Sequence, residues 1–303
     1  MRDTDVLRTE AMRAIIDIGT NTVLMLVGER DANGRVRVVQ DLSRICRLGK
    51  GVAASRRLSP DAVERTLATL REYRGIAAEH GAEVVAVATE GLRMAEDAEG
   101  FLGPAAVALG SPIRLISGDE EAELSYRSIA REHEGGPLRV LDIGGGSTEL
   151  VVGDGDRIIT RKSHAIGSVR LTERCVTHDP PTVGEIEAIA VAAREAFASQ
   201  PVAPHPELHG LAGTVTCAGA LLLGLTAYDR ERVDGQRFPV AQIEALRDQL
   251  AAETLAQRVA RAVLGTGRGD VIVAGMTILV EALRHCGAES LVVRDRGLRF
   301  ALL

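Results

Sequence analysis

The feature that most constrains this chain is a motif of strand, turn and strand that occurs twice and aligns without a gap. Residues 16–28 read IDIGTNTVLMLVG, and residues 141–153 read LDIGGGSTELVVG. Asp17 aligns with Asp142, and Gly19 aligns with Gly144. In each copy an apolar run leads into a turn rich in glycine and hydroxyl residues and then into a second apolar run, a pattern typical of paired strands. The duplication predicts two similar domains whose turns face one ligand.

The residue types of the two turns indicate that this ligand carries phosphate. Glycines allow backbone amides to approach an anion closely and to adopt positive φ, while hydroxyl and amide side chains add further donors. Glycine kept only for hairpin geometry would explain a single such turn, but two matched copies favour phosphate binding. The predicted contacts are Gly19, Thr20, Asn21, Thr22, Gly144, Gly145, Gly146, Ser147 and Thr148.

An aspartate immediately before each turn implies a cation as well. Asp17 and Asp142 would repel a bound phosphate unless a cation lay between them, so we expect magnesium (Mg²⁺). Two weaker candidates for phosphate contacts are Arg93, because an arginine at a strand-to-helix junction can bind a phosphate with two nitrogens, and Gly213-Thr214, which follows a predicted strand.

Four acidic residues crowd a predicted strand-to-helix turn within Ile116–Glu123. Acids are common at helix N-termini because they interact favourably with the helix dipole. They can also supply a general base that activates water at the mouth of a cleft. The residues alone leave both explanations open.

Length and composition bound the class of protein. A chain of 303 residues exceeds what one compact core usually holds, so two domains are expected. No apolar run approaches the roughly 20 residues of a membrane helix, and Met1–Met12 lacks the apolar core of a secretory signal. The four cysteines form no Cys-x-x-Cys pair, which predicts reduced thiols and a cytoplasmic location.

The charge pattern separates the chain from nucleic-acid-binding proteins but leaves one basic segment to explain. A net charge of −6 and the absence of tryptophan argue against nucleic acid as a partner. Within Leu42–Pro60, however, there are five cations and no acid. This segment either focuses a polyanion onto one part of an acidic protein or is a solvated loop.

The predicted elements alternate between β-hairpins and βα units in both halves, which indicates an α/β protein with mixed sheets. Thr182 and Glu185 have the spacing of a capping box and mark a helix start. Asp31–Gly34 is predicted to be a hairpin turn. Residues 91–109 are predicted to be helical, with breaks at Gly100 and at Gly103-Pro104.

Six segments, in sequence order, resemble the motifs of the exopolyphosphatase/guanosine pentaphosphate phosphohydrolase (Ppx/GppA) family. They are residues 17–22 (DIGTNT), 88–93 (ATEGLR), 116–122 (ISGDEEA), 142–149 (DIGGGSTE), 212–214 (AGT) and 297–299 (GLR). Two positions depart from the pattern. The family often has Ser-Ala or similar where this chain has Glu90-Gly91, which places an acid beside Arg93, and it often has Glu-Gly where this chain has Phe300-Ala301.

The resemblance implies an α/β fold with two ribonuclease-H-like (actin-like) domains and mixed sheets around a central cleft, in the short two-domain form. We expect the N-terminal domain at residues 13–123 and the C-terminal domain at residues 124–296. Residues 297–303 are expected to pack back on the first domain, and residues 1–11 are expected to be a disordered extension.

The resemblance also implies roles and an activity. Glu121 would be the base that activates water, and Asp142 and Glu149, with Asp17, would hold magnesium. Arg93 and the two turns would hold the terminal phosphates, and the rest of a phosphate chain would follow cations. The expected activity is metal-dependent removal of the terminal phosphate of inorganic polyphosphate, in a homodimer. The expected cationic path is Arg44, Arg47 and Lys50.

Three alternatives stay open at this point. The first is hydrolysis of guanosine pentaphosphate at the same site, which the sequence does not separate from polyphosphate hydrolysis. The second is an actin-like kinase that transfers phosphate to an alcohol. The third is a non-catalytic sensor of guanosine tetraphosphate or polyphosphate, against which Glu121 argues, since a pure binder has no use for a base beside an anion.

Overall fold

The computed structural model describes residues 11–31 and 35–303. Two expectations therefore lie outside the described residues: the disordered extension, apart from Ala11, and the turn Asp31–Gly34, apart from Asp31. Within the described ranges the chain forms two mixed β-sheets with helices packed against them, which confirms the α/β expectation.

The first sheet has five strands in the order β3-β2-β1-β4-β5 among the described residues. Strands β1 to β3 are antiparallel neighbours, whereas β4 and β5 run parallel to β1. Its elements are β1 (Arg13–Ile18), β2 (Thr22–Arg30), β3 (Val36–Ile45), α1 (Val52–Ser55), α2 (Pro60–Glu79), β4 (Glu83–Ala88), α3 (Glu90–Arg93), α4 (Ala98–Leu109) and β5 (Ile113–Leu115).

Helix α5 (Gly118–Ala130) leads to the second sheet, which has six strands in the order β10-β11-β9-β6-β7-β8 in the described part of the chain. Its elements are β6 (Pro137–Ile143), β7 (Thr148–Asp154), β8 (Arg157–His164), α6 (Ser168–Cys175), α7 (Val183–Ala198), β9 (Glu207–Leu211), α8 (Ala212–Leu222), α9 (Arg230–Val233), β10 (Arg237–Pro239), α10 (Val240–Ala252), α11 (Leu255–Ala260), α12 (Ile272–His285) and β11 (Ser290–Val293), followed by α13 (Leu298–Leu302).

The duplicated motif forms the same structure in both sheets. The amide of Gly19 donates to the carbonyl of Thr22 at 3.0 Å, and the amide of Gly144 donates to the carbonyl of Ser147 at 3.0 Å. The cross-strand partner one step inside each turn differs, because Asp17 faces Leu24 in the first copy, whereas Asp142 faces Glu149 in the second. The second copy therefore concentrates two acids where the first has one.

Each sheet packs its own apolar core, and the end of the chain packs against the first sheet in a separate small cluster. One core surrounds β1, β2, β4, α2 and α4, and the other surrounds β6, β9 and α12. Phe300 and Leu303 of the C-terminal segment pack against Ile15 and Leu26 on the first sheet. Because α5 contacts both α13 and β8, the two sheets are linked on one side of the cleft.

Neither predicted break occurs, because α4 continues from Ala98 through Gly100 and Pro104 to Leu109. Phe101, Ala105 and Leu109 are buried in the first core. Packing of this apolar face outweighs the low helix propensity of glycine and proline. The expected capping box of Thr182 and Glu185 is confirmed at the start of α7.

A search of the two described ranges finds no helix with both the length and the apolar character required to cross a membrane.

Candidate functional site

The two duplicated turns border one cavity of about 160 Å³ between the sheets. Its walls come from the ends of β1 and β6, from the start of α5 and from the strand-to-helix junction before α8. The predicted residues that line it are Asp17, Gly19, Thr20, Asn21, Thr22, Glu121, Asp142, Gly144, Gly145, Gly146, Ser147, Gly213 and Thr214. One cavity therefore brings together the residues of both predicted turns, Glu121 of the acidic cluster, and the Gly213-Thr214 pair.

The glycines of the turns serve close approach rather than an unusual backbone conformation. Contrary to the expectation of positive φ, Gly19 and Gly144 to Gly146 are not among the positive-φ residues of the described chain. A Cβ on Gly146 would lie 2.8 Å from Thr20 Oγ1, and a Cβ on Gly145 would lie 3.0 Å from Thr20 Cβ. The two turns are thus in contact across the cleft, which a larger residue would prevent.

Glu121 is held at the cavity by the start of α5 and by an arginine. Ser117 caps the helix by accepting a hydrogen bond from the amide of Glu120 at 3.1 Å. Arg93 Nη1 donates to Glu121 Oε2 at 2.9 Å and to the carbonyl of Ile116 at 2.8 Å. Burial raises the pKa of Glu121 well above its ordinary value, nearby Glu149 adds to this, and Arg93 opposes it. The site therefore contains a desolvated carboxylate in contact with a cation.

Three further carboxyl groups lie near Glu121, at the ends of β1 and β6 and on β7: Asp17 and Asp142 are half-buried, and Glu149 is buried. Burial raises the pKa of Asp17 to about 7, and Arg299 opposes the rise. Burial also raises the pKa of Glu149 to about 8, with Asp142 as the next cause. The pKa of Asp142 is raised by burial as well, although Ser125 Oγ donates to its Oδ2 at 2.6 Å. Carboxyl groups this close together do not all ionise unless a cation between them offsets the repulsion of their charges.

The donor set fits a hard divalent cation that is only partly ligated by protein. Asp17 Oδ1 is buried and has no hydrogen-bond partner among the described residues. In the same ranges no three His, Cys, Asp or Glu side chains converge into a complete metal cage. Magnesium is typically held by one or two carboxylates, with water and substrate phosphates completing the shell. The residues present agree with that mode of binding.

Several predicted residues lie outside the cavity wall. Thr148 is fully buried, and its hydroxyl donates to the carbonyl of Ile166 at 2.7 Å. Glu149 is also buried, and it accepts from Ser163 Oγ at 2.7 Å. The three cations of the expected polyphosphate path have different surroundings: Arg44 pairs with Glu72 at 2.6 Å, Arg47 pairs with Asp270 at 2.7 Å, and Lys50 is exposed.

Arg93 is engaged by two acids and is not among the described residues that line the cavity. Its Nε donates to Glu90 Oε2 at 3.0 Å, in addition to the contact with Glu121. Its Nη2 lies 2.9 Å from the same Glu90 oxygen, yet within the described chain it makes no well-oriented hydrogen bond and is buried. Arg93 therefore contacts Glu90 and Glu121 rather than the cavity itself, and its predicted contact with phosphate stays a prediction.

The structure adds residues that the sequence did not reveal. Arg268 lines the cavity and donates to Cys217 Sγ at 3.1 Å. Among the described residues it forms no ion pair with a carboxylate, unlike most arginines of this chain. Arg296 and Arg299 also line the cavity. Arg299 belongs to the motif at residues 297–299 (GLR). Arg268, by contrast, has no sequence signal beyond the nearby Gly265 and Gly267.

The junction before α8 presents amides to the same cavity. Ala212 has φ of 67°, a left-handed conformation that is uncommon outside glycine. It turns the chain so that Gly213 and Thr214, at the start of α8, line the cavity. Free amides at a helix N-terminus favour anions, and strained residues of this kind concentrate at functional sites.

Two actin-like domains that meet at glycine-rich turns and buried carboxylates define a protein that acts on phosphoryl groups. Residues 27–303 match the Ppx/GppA phosphatase family, and the chain belongs to that family. The family membership that the resemblance implied is thereby confirmed.

Relatives support the same assignment over nearly the whole chain. Exopolyphosphatase 2 of Mycobacterium tuberculosis is 37% identical over 304 residues, which cover 94% of this chain and 95% of that protein. The crystal structure of the Aquifex aeolicus Ppx/GppA family member superposes with a TM-score of 0.82 at 31% identity and covers 97% of this chain and 96% of that one. The structure of an exopolyphosphatase-like protein gives a TM-score of 0.90 at 32% identity, with 97% and 96% covered. The expected two-sheet, actin-like fold is confirmed.

Proposed function

We propose that this protein is an exopolyphosphatase, which hydrolyses the terminal phosphoanhydride bond of inorganic polyphosphate and releases orthophosphate. The observation that carries the proposal is the position of Glu121. Its carboxylate lines the cavity between the two phosphate-binding turns and is held there by Arg93. A binding module would gain nothing from a desolvated acid beside a polyanion. The relative in Mycobacterium tuberculosis is named for the same activity.

The neutral and cationic donors of the cavity would bind the end of the phosphate chain. The hydroxyls of Thr20 and Ser147 and the amides of the two turns would bind the terminal phosphoryl group. The amides at the start of α8 and the guanidinium of Arg268 would bind the phosphates behind it. Preorganised donors of this kind stabilise the charge that develops on the transferred group.

Glu121 would orient a water molecule for in-line attack on the terminal phosphorus and accept its proton. The new bond joins the water oxygen to phosphorus, and the bridging oxygen leaves with the shortened chain. Arg93 favours the ionised carboxylate that this step needs, against the burial that raises the pKa of Glu121.

Asp17 and Asp142, which both line the cavity, would hold a magnesium ion together with the substrate, and Glu149, which faces Asp142 across the β6–β7 pair, would add its charge from outside the cavity wall. When bound, magnesium neutralises charge on the phosphate oxygens and so lowers the repulsion toward the incoming water. The unpartnered Oδ1 of Asp17 and the raised pKa values of all three carboxylates support this assignment.

The size of the cavity favours a chain end over a whole nucleotide. Its volume of about 160 Å³ is below the roughly 300–1,000 Å³ of pockets that enclose larger ligands.

Three expectations stay predictions: the cytoplasmic location, the homodimer, and the cationic path through Arg44, Arg47 and Lys50. Sedimentation analysis would measure the oligomeric state, and pairing of two copies would lengthen the cationic path.

Replacement of Glu121 by Gln tests the proposal. The amide keeps the shape and the contact with Arg93 but does not accept a proton, so kcat for orthophosphate release from polyphosphate should fall at least about 100-fold. Glu120→Gln is the matched control, because Glu120 pairs with Arg114 at the surface and its loss should leave kcat within about twofold of wild type.

The choice of substrate is tested by comparing the wild-type protein on polyphosphate and on guanosine pentaphosphate. Polyphosphate should give the higher kcat/KM. Faster release from guanosine pentaphosphate would reassign the substrate, and wild-type rates in Glu121→Gln would remove the general base from the mechanism. Phosphate transfer from ATP to an alcohol without orthophosphate release would indicate a kinase instead.

A further inference from the structure

Glu90 occupies a central place in the site although nothing in the proposed reaction uses it. It is the first residue of α3 and lines the cavity, and its side chain is only 17% exposed. It stands where the motif of the family often has a small residue. A carboxylate near bound phosphate is unfavourable by itself, so its contacts have to explain its presence.

One carboxylate oxygen of Glu90 accepts a hydrogen bond from Arg93, the arginine that contacts the proposed base Glu121. Glu90 Oε2 accepts from Arg93 Nε at 3.0 Å, while Arg93 Nη1 donates to Glu121 Oε2 at 2.9 Å. The guanidinium is planar and rigid, so an acceptor fixed on one edge sets the direction of the other edge. Glu90 therefore limits the orientations from which Arg93 can contact Glu121.

The other oxygen of Glu90 reaches across the cleft to the second domain. Glu90 Oε1 accepts from Arg170 Nη2 on α6 at 2.5 Å. Arg170 Nε in turn donates to the carbonyl of Gly146 in the second turn at 2.7 Å. The side chains of Glu90, Arg93 and Arg170 are 17% to 18% exposed, so the ion pairs are partly shielded from water and are worth more than surface pairs.

The backbone of the second turn leaves just enough room for this contact. A Cβ on Gly146 would approach Glu90 Cγ to 2.9 Å. The turn that would bind the terminal phosphoryl group thus lies against the same side chain that fixes Arg93. Base, arginine, acid and turn form one continuous chain of contacts across the two domains.

We propose that Glu90 is a positioning residue that fixes Arg93 on Glu121 and couples this arrangement to the second turn through Arg170. The inference rests on the proposed exopolyphosphatase activity. In this role Glu90 acts through the geometry of Arg93 when the two turns are in contact, and not through a contact with water or phosphate.

Kinetics of Glu90→Ala on polyphosphate separate this role from a merely structural one. Because Glu90 orients the base rather than binding phosphate, kcat should fall about tenfold while KM changes less than about twofold. Glu90→Gln keeps one acceptor and the side-chain volume, so its kcat should lie between those of wild type and Glu90→Ala. Glu99→Ala, at an exposed acid on α4, is the control and should retain wild-type kcat. Thermal melting checks that each variant is folded.

A double-mutant cycle tests the coupling between Glu90 and Arg170. If the two act as one unit, Arg170→Met should lower kcat by a similar factor, and the double variant should lose far less than the product of the two single losses. Multiplicative losses would contradict the coupling through Arg170.

The outcomes distinguish this inference from the activity on which it rests. A wild-type protein that releases no orthophosphate from polyphosphate contradicts the proposed function. An active wild type whose kcat is unchanged by Glu90→Ala, or whose loss lies in KM alone, contradicts the positioning role and leaves the proposed function standing.

Discussion

At the scale of single residues, the two copies of the motif differ in the residue that faces the aspartate across the strand pair. Glu149 faces Asp142 across the β6–β7 pair, whereas the equivalent Leu24 faces Asp17. An acid facing an acid is destabilising by itself, and burial raises the pKa of both Asp142 and Glu149. We therefore expect the first turn to act mainly as a phosphate cradle, with one carboxylate beside it, and the second turn to add a pair of carboxylates to the proposed cation site.

The contact between the turns makes Gly146 intolerant of a side chain. In Gly146→Ala the new methyl group would lie 2.8 Å from Thr20 Oγ1 and 2.9 Å from Glu90 Cγ, so the turns should move apart and kcat/KM on polyphosphate should fall about tenfold or more. The matched control is Gly75→Ala in the middle of α2, where a Cβ would meet no described atom within 4 Å. Wild-type activity and up to about 1 kcal/mol of added stability are expected there. Equal activities in the two variants would contradict the role of the close approach.

At the scale of elements, the start of α5 determines where Glu121 lies. Ser117 accepts a hydrogen bond from the amide of Glu120, and the carbonyl of Ile116, just before the cap, accepts from Arg93. The helix start and the arginine therefore position the carboxylate from two sides. The acidic cluster serves as both a favourable first turn and a candidate catalytic group, so the two explanations left open by the sequence are compatible.

Loss of the Ser117 cap should affect both stability and activity. Ser117→Ala removes one N-cap hydrogen bond and should cost roughly 1 kcal/mol in the free energy of unfolding; because Glu121 lies in the same turn, kcat should fall about threefold or more. Thr182→Ala removes the corresponding cap of α7, which is remote from the cavity, and should cost similar stability at unchanged kcat. Urea unfolding and steady-state assays of both variants make the comparison, and equal kcat values would show that the cap is structural only.

Much of this element arrangement could be predicted because local signals were strong. The duplicated motif gave the hairpins β1–β2 and β6–β7, and Thr182 with Glu185 marked the start of α7. The continuity of α4 could not be predicted, because the burial of Phe101 and Leu109 that overrides Gly100 and Pro104 depends on tertiary packing. Arg268 and the contact of Glu90 with Arg170 were also beyond reach, since residues far apart in sequence meet there only in the folded chain.

At the scale of the whole molecule, pH should act on stability through buried histidine as well as through the site. His209 lies on β9 between β6 and β11 and is 7% exposed. Burial, with Arg294 as the next cause, lowers its pKa from 6.5 to about 4. The folded state therefore binds this proton less readily than the unfolded chain does. The contribution of neutral His209 is complete above pH 6.5 and is lost as pH falls toward 4.

A variant that has no ionisable side chain at position 209 measures the size of this effect. Relative to wild type, His209→Gln should gain roughly 3 kcal/mol of unfolding free energy between pH 7.5 and pH 4, because about 1.4 kcal/mol accompanies each unit of pKa shift. His80→Gln, at the end of α2, is the control and should follow the wild-type pH curve. Urea unfolding across that range gives the difference, and parallel curves for wild type and His209→Gln would contradict the buried neutral histidine.

The four desolvated carboxyl groups at the cavity also constrain which substitutions such a sequence can accept. Asp17, Glu121, Asp142 and Glu149 are kept close together against mutual repulsion and desolvation. A substitution that makes any of them neutral relieves that strain, so the easiest gains in heat resistance lie at the positions that activity requires. Selection for thermostability alone would therefore favour inactive descendants, and an engineering screen for this fold needs to measure turnover alongside melting temperature.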